Sequence, residues 1–222
     1  MGRRVAFLLV PLAILIIPAS AGAATFSNPA PIASPAIPGS GVAIPYPSGI
    51  AVSGLKGTTV KVRATLHDVL AAAKDVDLLL TGPGASTILM SDPCSASGVD
   101  FGGVTLTFDD AAAAAFPESC PSAPVSGTYK PSNNDTTDAF PGIAGPYPLG
   151  LSNFRGLAPN GLWQLYLFDD TAPDAASIGG GWSLELTATG AAAKKKCRKR
   201  KRGNKGSSSA KKRRCKKAKG RR

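Results

Sequence analysis

The chain has 222 residues, 43% hydrophobic and 6% aromatic, which suffices for one domain of about 150 residues with tails. The net charge of +12 is sharply segregated: residues 25–190 hold all 14 acidic side chains and six basic ones, whereas residues 191–222 hold eighteen Lys and Arg and no acid. A single histidine leaves one candidate base for any hydrolytic triad.

Residues 1–23 read as a secretory signal. Arg3 and Arg4 precede an uncharged stretch, residues 5–17, that is apolar apart from Pro11, and Ala21-Gly-Ala23 is a small-residue cleavage site. Thirteen residues are short for a spanning helix, which needs about 20. The protein is therefore expected to be secreted. Residues 24–48 are rich in Pro, Ala and Ser and read as an extended leader.

From residue 49 the pattern is that of strands. Residues 49–66 give two around a Gly54/Gly57 turn, and residues 76–80 and 87–90 give two more around Gly82-Pro-Gly84. Residues 104–108 alternate and form another; residues 111–116 are expected to make a helical turn. Residues 162–168 and 182–187 close the set. In the former, Trp163, Leu165 and Leu167 point one way and Leu162, Gln164, Tyr166 and Phe168 the other. Trp163 and Trp182 are read as core anchors. The expected fold is all-β, an antiparallel jelly-roll-like β-sandwich over residues 49–190. Residues 191–222, polycationic and poor in apolar side chains, are expected to be disordered.

A secreted chain meets an oxidising compartment. Cys94 and Cys120 lie in the loop contexts Asp92-Pro-Cys-Ser95 and Ser119-Cys-Pro121 and are predicted to pair. Such a bridge closes a loop of about 27 residues and stabilises by roughly 3–4 kcal/mol in the chain-entropy model. Cys197 and Cys215 are expected to bridge each other across a basic loop, with intermolecular linkage as the rival; their spacing and the lack of nearby His argue against zinc.

No catalytic constellation stands out. His67 is followed by Asp68, which on a strand faces the opposite way, and no Gly-x-Ser-x-Gly elbow exists. His67 is read as a strand-end residue with a structural hydrogen bond. Gly179-Gly-Gly181 lacks the Lys-Ser/Thr of a phosphate loop and reads as a turn. Asp169, Asp170 and Asp174 crowd one loop that Asp77 can approach, a set of oxygens suited to calcium; a solvated acidic turn is the competing reading. Asp75 and the Asp109/Asp110 pair are weaker candidates.

The tail offers a different chemistry. Lys194, Lys195, Lys196, Arg198, Lys199, Arg200, Lys201, Arg202, Lys211, Lys212, Arg213 and Arg214 make a polycation suited to an anionic cell-surface polymer or lipid. Nucleic acid fits less well, because the tail has no aromatic residue to stack on bases and the signal directs the chain outward. A flexible end without a partner is the remaining reading.

The order of motifs carries a resemblance. Gly161-Leu-Trp-Gln-Leu-Tyr-Leu-Phe-Asp-Asp170 followed by Ile178-Gly-Gly-Gly-Trp-Ser-Leu-Glu-Leu186 resembles the end of the P domain (Homo B domain) of subtilisin-like proprotein convertases. Upstream, Ile50-Ala-Val-Ser-Gly-Leu-Lys-Gly57, Thr59-Val-Lys-Val-Arg-Ala-Thr-Leu-His67, Asp77-Leu-Leu-Leu80, Phe108-Asp-Asp110, Gly127-Thr-Tyr-Lys-Pro131 and Leu151-Ser-Asn-Phe154 are similar to successive family segments. Residues 42–189 are covered; an insertion over residues 132–148 departs from the pattern. The resemblance implies a β-sandwich that packs on a serine-protease domain and acidic loops associated with calcium. No segment here resembles such a protease domain. The expected role is a secreted, non-catalytic accessory or cell-surface binding module. A subunit of a serine endopeptidase system and a carbohydrate- or wall-polymer-binding module are the alternatives.

Overall fold

The computed structural model describes residues 22–36, 39–71, 74–137 and 139–190. The expected signal segment up to residue 21 and the whole polybasic stretch 191–222, with Cys197 and Cys215, lie outside the described residues.

Among the described residues twelve strands make two packed sheets. The first contains β1 (Gly22–Asn28), β2 (Ile32–Ala33), β5 (Thr59–Ala71), β8 (Phe101–Phe108), β9 (Gly127–Tyr129), β11 (Ser177–Ile178) and β12 (Trp182–Ala188). The second contains β3 (Gly41–Val42), β4 (Ser48–Val52), β6 (Val76–Gly82), β7 (Ala85–Met90) and β10 (Gly161–Asp169). Every strand pair is antiparallel except β8 with β9. The chain is thus the β-sandwich that the alternation predicts.

Period-two patterning builds the core between the sheets. Val62, Ala64 and Leu66 on β5 and Trp182, Leu184 and Leu186 on β12 face Trp163, Leu165 and Leu167 on β10, and all are buried. Both indoles are fully buried and satisfied: Trp163 Nε1 donates to the Pro159 carbonyl at 3.1 Å and Trp182 Nε1 to Ser48 Oγ at 3.0 Å. Burying each large side chain contributes about 1.5–3 kcal/mol.

The boundary of the domain lies earlier than residue 49. Much of the Pro-rich leader belongs to the sandwich: β1 pairs with β12 from Gly22↔Ala188 to Asn28↔Trp182, and Ala24 and Phe26 pack against the core. The prolines punctuate this segment; they fall between its strands and leave the paired N–H groups intact. The helical turn expected at residues 111–116 is absent. Asp109 and Ala112 close a turn there, and Ala115 bridges Lys130. The 3-10 turn lies instead at Leu151–Phe154, where the Asp110 carboxylate accepts the N–H groups of Leu151 at 2.8 Å and Ser152 at 2.7 Å.

The insertion at residues 132–148 covers the outer face of the second sheet. Phe140 joins Leu79, Ile88 and Tyr166 in a second apolar cluster, with Tyr46, Ile143, Tyr147 and Phe168 packed around it. Tyr46 meets Tyr166 edge-on at 5.0 Å, and Phe140 meets Tyr147 at 5.1 Å. The Tyr147 hydroxyl donates to the Ile143 carbonyl and accepts the Phe140 N–H, closing the insertion on itself.

Candidate functional site

Strand direction gives the sandwich two chemically different ends. At one, β6 begins and β10 finishes, and five aspartates gather. Asp169, the last residue of β10, is fully buried. Its Oδ2 accepts from Ser34 Oγ at 3.0 Å, and that hydroxyl in turn accepts the Ala176 N–H at 2.8 Å. Asp169 Oδ1 has no hydrogen-bond partner. Burial pushes the Asp169 carboxyl up to about 6; the Ser34 hydrogen bond opposes the shift and the Asp75 charge adds to it. Asp75 is likewise raised, by burial and then by Asp170, whose N–H donates to the Asp75 carbonyl at 3.0 Å. Asp170 and Asp174 are exposed. A shallow cleft of about 510 Å³ opens beside them, lined by Leu70, Ala71, Phe101, Asp100 and Asp174 among others.

The sequence-predicted calcium set is only partly assembled here. Asp77 of β6 is paired with Phe168 and Asp169 of β10 with Val76, so the two carboxylates project to opposite faces of the second sheet. Asp77 is buried on the outer face. Among the described residues no three of His, Cys, Asp or Glu converge in a metal-holding group. Asp100, which the structure places beside Asp174, escapes a sequence reading because 74 residues separate them. Ser34, hidden in the Pro-rich leader, gives no signal at all.

Cys94 and Cys120 form a disulfide with their Cα atoms 5.1 Å apart. His67 lies inside β5 and not at a strand end, and its Nε2 is 3.3 Å from Ser183 Oγ, the structural hydrogen bond expected of it. The three glycines after Ile178 fold tightly over this strand. A Cβ on Gly180 would lie 2.8 Å from the His67 Cβ, and Gly181 takes φ +68° with a Cβ position 2.2 Å from the Asn28 carbonyl oxygen. They form a close-packed turn, with His67 N–H donating to the Gly181 carbonyl and Gly180 N–H to that of His67.

At the other end, where β10 begins and β12 finishes, the charge is reversed in character. Lys61 and Arg63 hold Asp109 at 2.7 and 3.1 Å, and Arg63 also reaches Glu185 at 3.5 Å. Burial pushes Asp109 up, but the Lys61 hydrogen bond, the Ala111 N–H and the two cationic charges outweigh it and hold its carboxyl below the usual range. Lys56 and Arg155 are exposed at this end and, among the described residues, enter no ion pair. Gly190, the last described residue, packs on Lys56: a Cβ there would lie 3.0 Å from the Lys56 backbone. The tail cations begin four residues later, at Lys194.

No family model, curated protein or solved structure matches the chain. The reading of its role rests on the residues themselves.

Trp163 and Trp182, both fully buried, present no stacking surface to a sugar. Exposed apolar residues occur elsewhere. Val42 is 37% exposed and Ile44 74%; Val42 is paired with Phe168 on the outer face of the second sheet. Among the described residues no helix is long and apolar enough to cross a membrane.

Proposed function

We propose that this chain is a secreted, non-catalytic β-sandwich module of the P-domain type, held at an anionic extracellular surface by its basic C-terminal segment. The observation that carries this reading is the charge segregation: a folded body with fourteen acids and six bases joined to thirty-two residues with eighteen bases and no acid. A polycation of that density binds phosphate- or carboxylate-bearing surfaces mainly through exposed charge, so the attraction is screened over about 8 Å at physiological salt and about 3 Å at 1 M. The deciding experiment compares the intact protein with one truncated after Gly190 for retention on anionic cell-wall material across a salt series. Loss of retention on truncation supports the reading; equal retention of the two proteins rejects it.

A second reading is favoured by one observation. Val42 and Ile44 expose apolar surface beside Phe168 and Tyr46, a patch of the kind that docks another protein. In this reading the module serves a secreted serine endopeptidase in trans. Capture of such a protease by the wild-type body but not by Ile44→Asp is the outcome that would favour it.

A further inference from the structure

The basic end of the sandwich is more than the place where the tail is attached. Lys56 lies in the turn between β4 and β5 and Arg155 just after the 3-10 turn, where Gly156 N–H donates to the Thr59 carbonyl at 2.8 Å and so brings Arg155 beside the start of β5. Lys61 and Arg155 line a common cleft of about 210 Å³ together with Asp109 and Asp110. Lys61 and Arg63 pair with Asp109 and Glu185, and the Asp110 carboxylate accepts backbone N–H groups but keeps its charge; Lys56, Lys130 and Arg155 are exposed and enter no ion pair among the described residues, so five cations face three carboxylates at this end. The five aspartates of the acidic end are far away. The thirteen residues of β5 run between the ends and span about 43 Å at roughly 3.3 Å per residue. That is about five Debye lengths at physiological salt, so the acidic end does not cancel the attraction felt at the basic end.

From this we infer that the sandwich lands on its polyanion in one orientation: the end bearing Lys56, Arg155 and Gly190 lies against the surface, and the end bearing Asp75, Asp100, Asp170 and Asp174 faces away. This inference rests on the tail-mediated retention proposed above and extends it to the folded body. The occupant of the basic end is an anionic polymer, not a bilayer. The turn at this end exposes Ser53, Gly54, Lys56, Gly57 and Thr58 and buries Leu55, and beside it Leu162 at the start of β10 is exposed; charge and small polar groups dominate, and a single leucine offers little to insert into hydrocarbon. The consequence is that the cleft lined by Leu70, Phe101, Asp100 and Asp174 is displayed outward whenever the protein is bound.

The test uses the full chain on immobilised long-chain polyphosphate and a brief pulse of an amine-acetylating reagent. Lys56 and Lys74 are both exposed in the free body and mark opposite ends. On the polymer, Lys56 should be protected several-fold and Lys74 should react as it does in solution. Lys56→Glu combined with Arg155→Glu should elute at lower salt than the wild type, whereas Lys74→Glu should elute unchanged. Equal reactivity of Lys56 and Lys74 in the bound protein, or unchanged elution of the double variant, overturns the orientation while leaving tail-mediated retention standing. Failure of the intact chain to bind polyphosphate overturns the orientation, and failure to bind any anionic wall fraction overturns both. Retention on phosphatidylserine vesicles but not on polyphosphate overturns the choice of a polymer.

Discussion

The indole N–H of Trp182 donates to the hydroxyl of Ser48 at 3.0 Å, and this bond joins a central strand of the first sheet to β4 in the second. Asn28 Nδ2 donates to the same oxygen at 3.2 Å, so one hydroxyl accepts from two other strands. Ser48→Ala leaves the fully buried indole without an acceptor, and the fold should lose about 1–3 kcal/mol. Trp182→Ala should cost more, about 3–5 kcal/mol, because it also opens a cavity between the sheets. Urea denaturation of the three proteins measures both; a Ser48→Ala midpoint equal to wild type would contradict the assignment.

Asp169 makes stability depend on pH. Its folded-state value of about 6 lies above the ordinary 3.8, so the fold disfavours the charged form. The stability associated with the protonated carboxyl is fully present below about pH 4 and is lost as pH rises through about 6. At roughly 1.4 kcal/mol per unit, the loss is of order 3 kcal/mol. Asp169→Asn should flatten the stability profile between pH 4 and 7 and leave the variant more stable than wild type at pH 7. Parallel denaturation curves at the two pH values give the answer.

The Cys94–Cys120 bridge spans 26 positions of sequence and sits in its own small apolar cluster with Val99. Replacing both cysteines by serine should lower stability by roughly 3–4 kcal/mol and make the 94–120 loop a preferred site of proteolysis. Non-reducing peptide mapping of the wild type should recover the linked peptides, and free thiols at both positions would refute the pairing.

Opposed faces also predict how the aspartates respond to calcium. A specific ion at one hundred times its dissociation constant stabilises a fold by about 2.7 kcal/mol. Any such gain at the acidic end should vanish in Asp170→Ala and persist in Asp77→Asn, since Asp77 projects to the other face of its sheet. Melting curves with calcium and with chelator separate the cases. Loss of the gain in Asp77→Asn alone would place the ion on the outer face.

The sequence was most legible where alternation was dense. β10 and β12 each set large apolar side chains at every second position between glycine-containing turns, and their inward and outward faces follow directly. β1 was hidden because Phe26 is its one large apolar residue and prolines crowd the segment after it. The stretch 132–148 reads as loop from its Pro, Gly and Asn content, yet three of its residues, Phe140, Ile143 and Tyr147, roof the second sheet. The acidic loop itself could be read locally. Which carboxylates meet could not, because the face taken by Asp77 is set by the register of β6 against β10, some ninety positions away in the chain.

β1 is the first described strand and β12 the last, yet they pair along the whole length of β1. A chain delivered N-terminus first therefore holds its opening strand without its pairing partner until almost all of the domain has followed. Bringing the two together closes a span of some 150 residues, an entropic cost on the order of 4 kcal/mol. The sandwich cannot be completed piece by piece as it emerges. Its last strand acts as the clasp, and until the clasp shuts, the uncharged edge of Gly22–Asn28 is open to any other extended segment nearby.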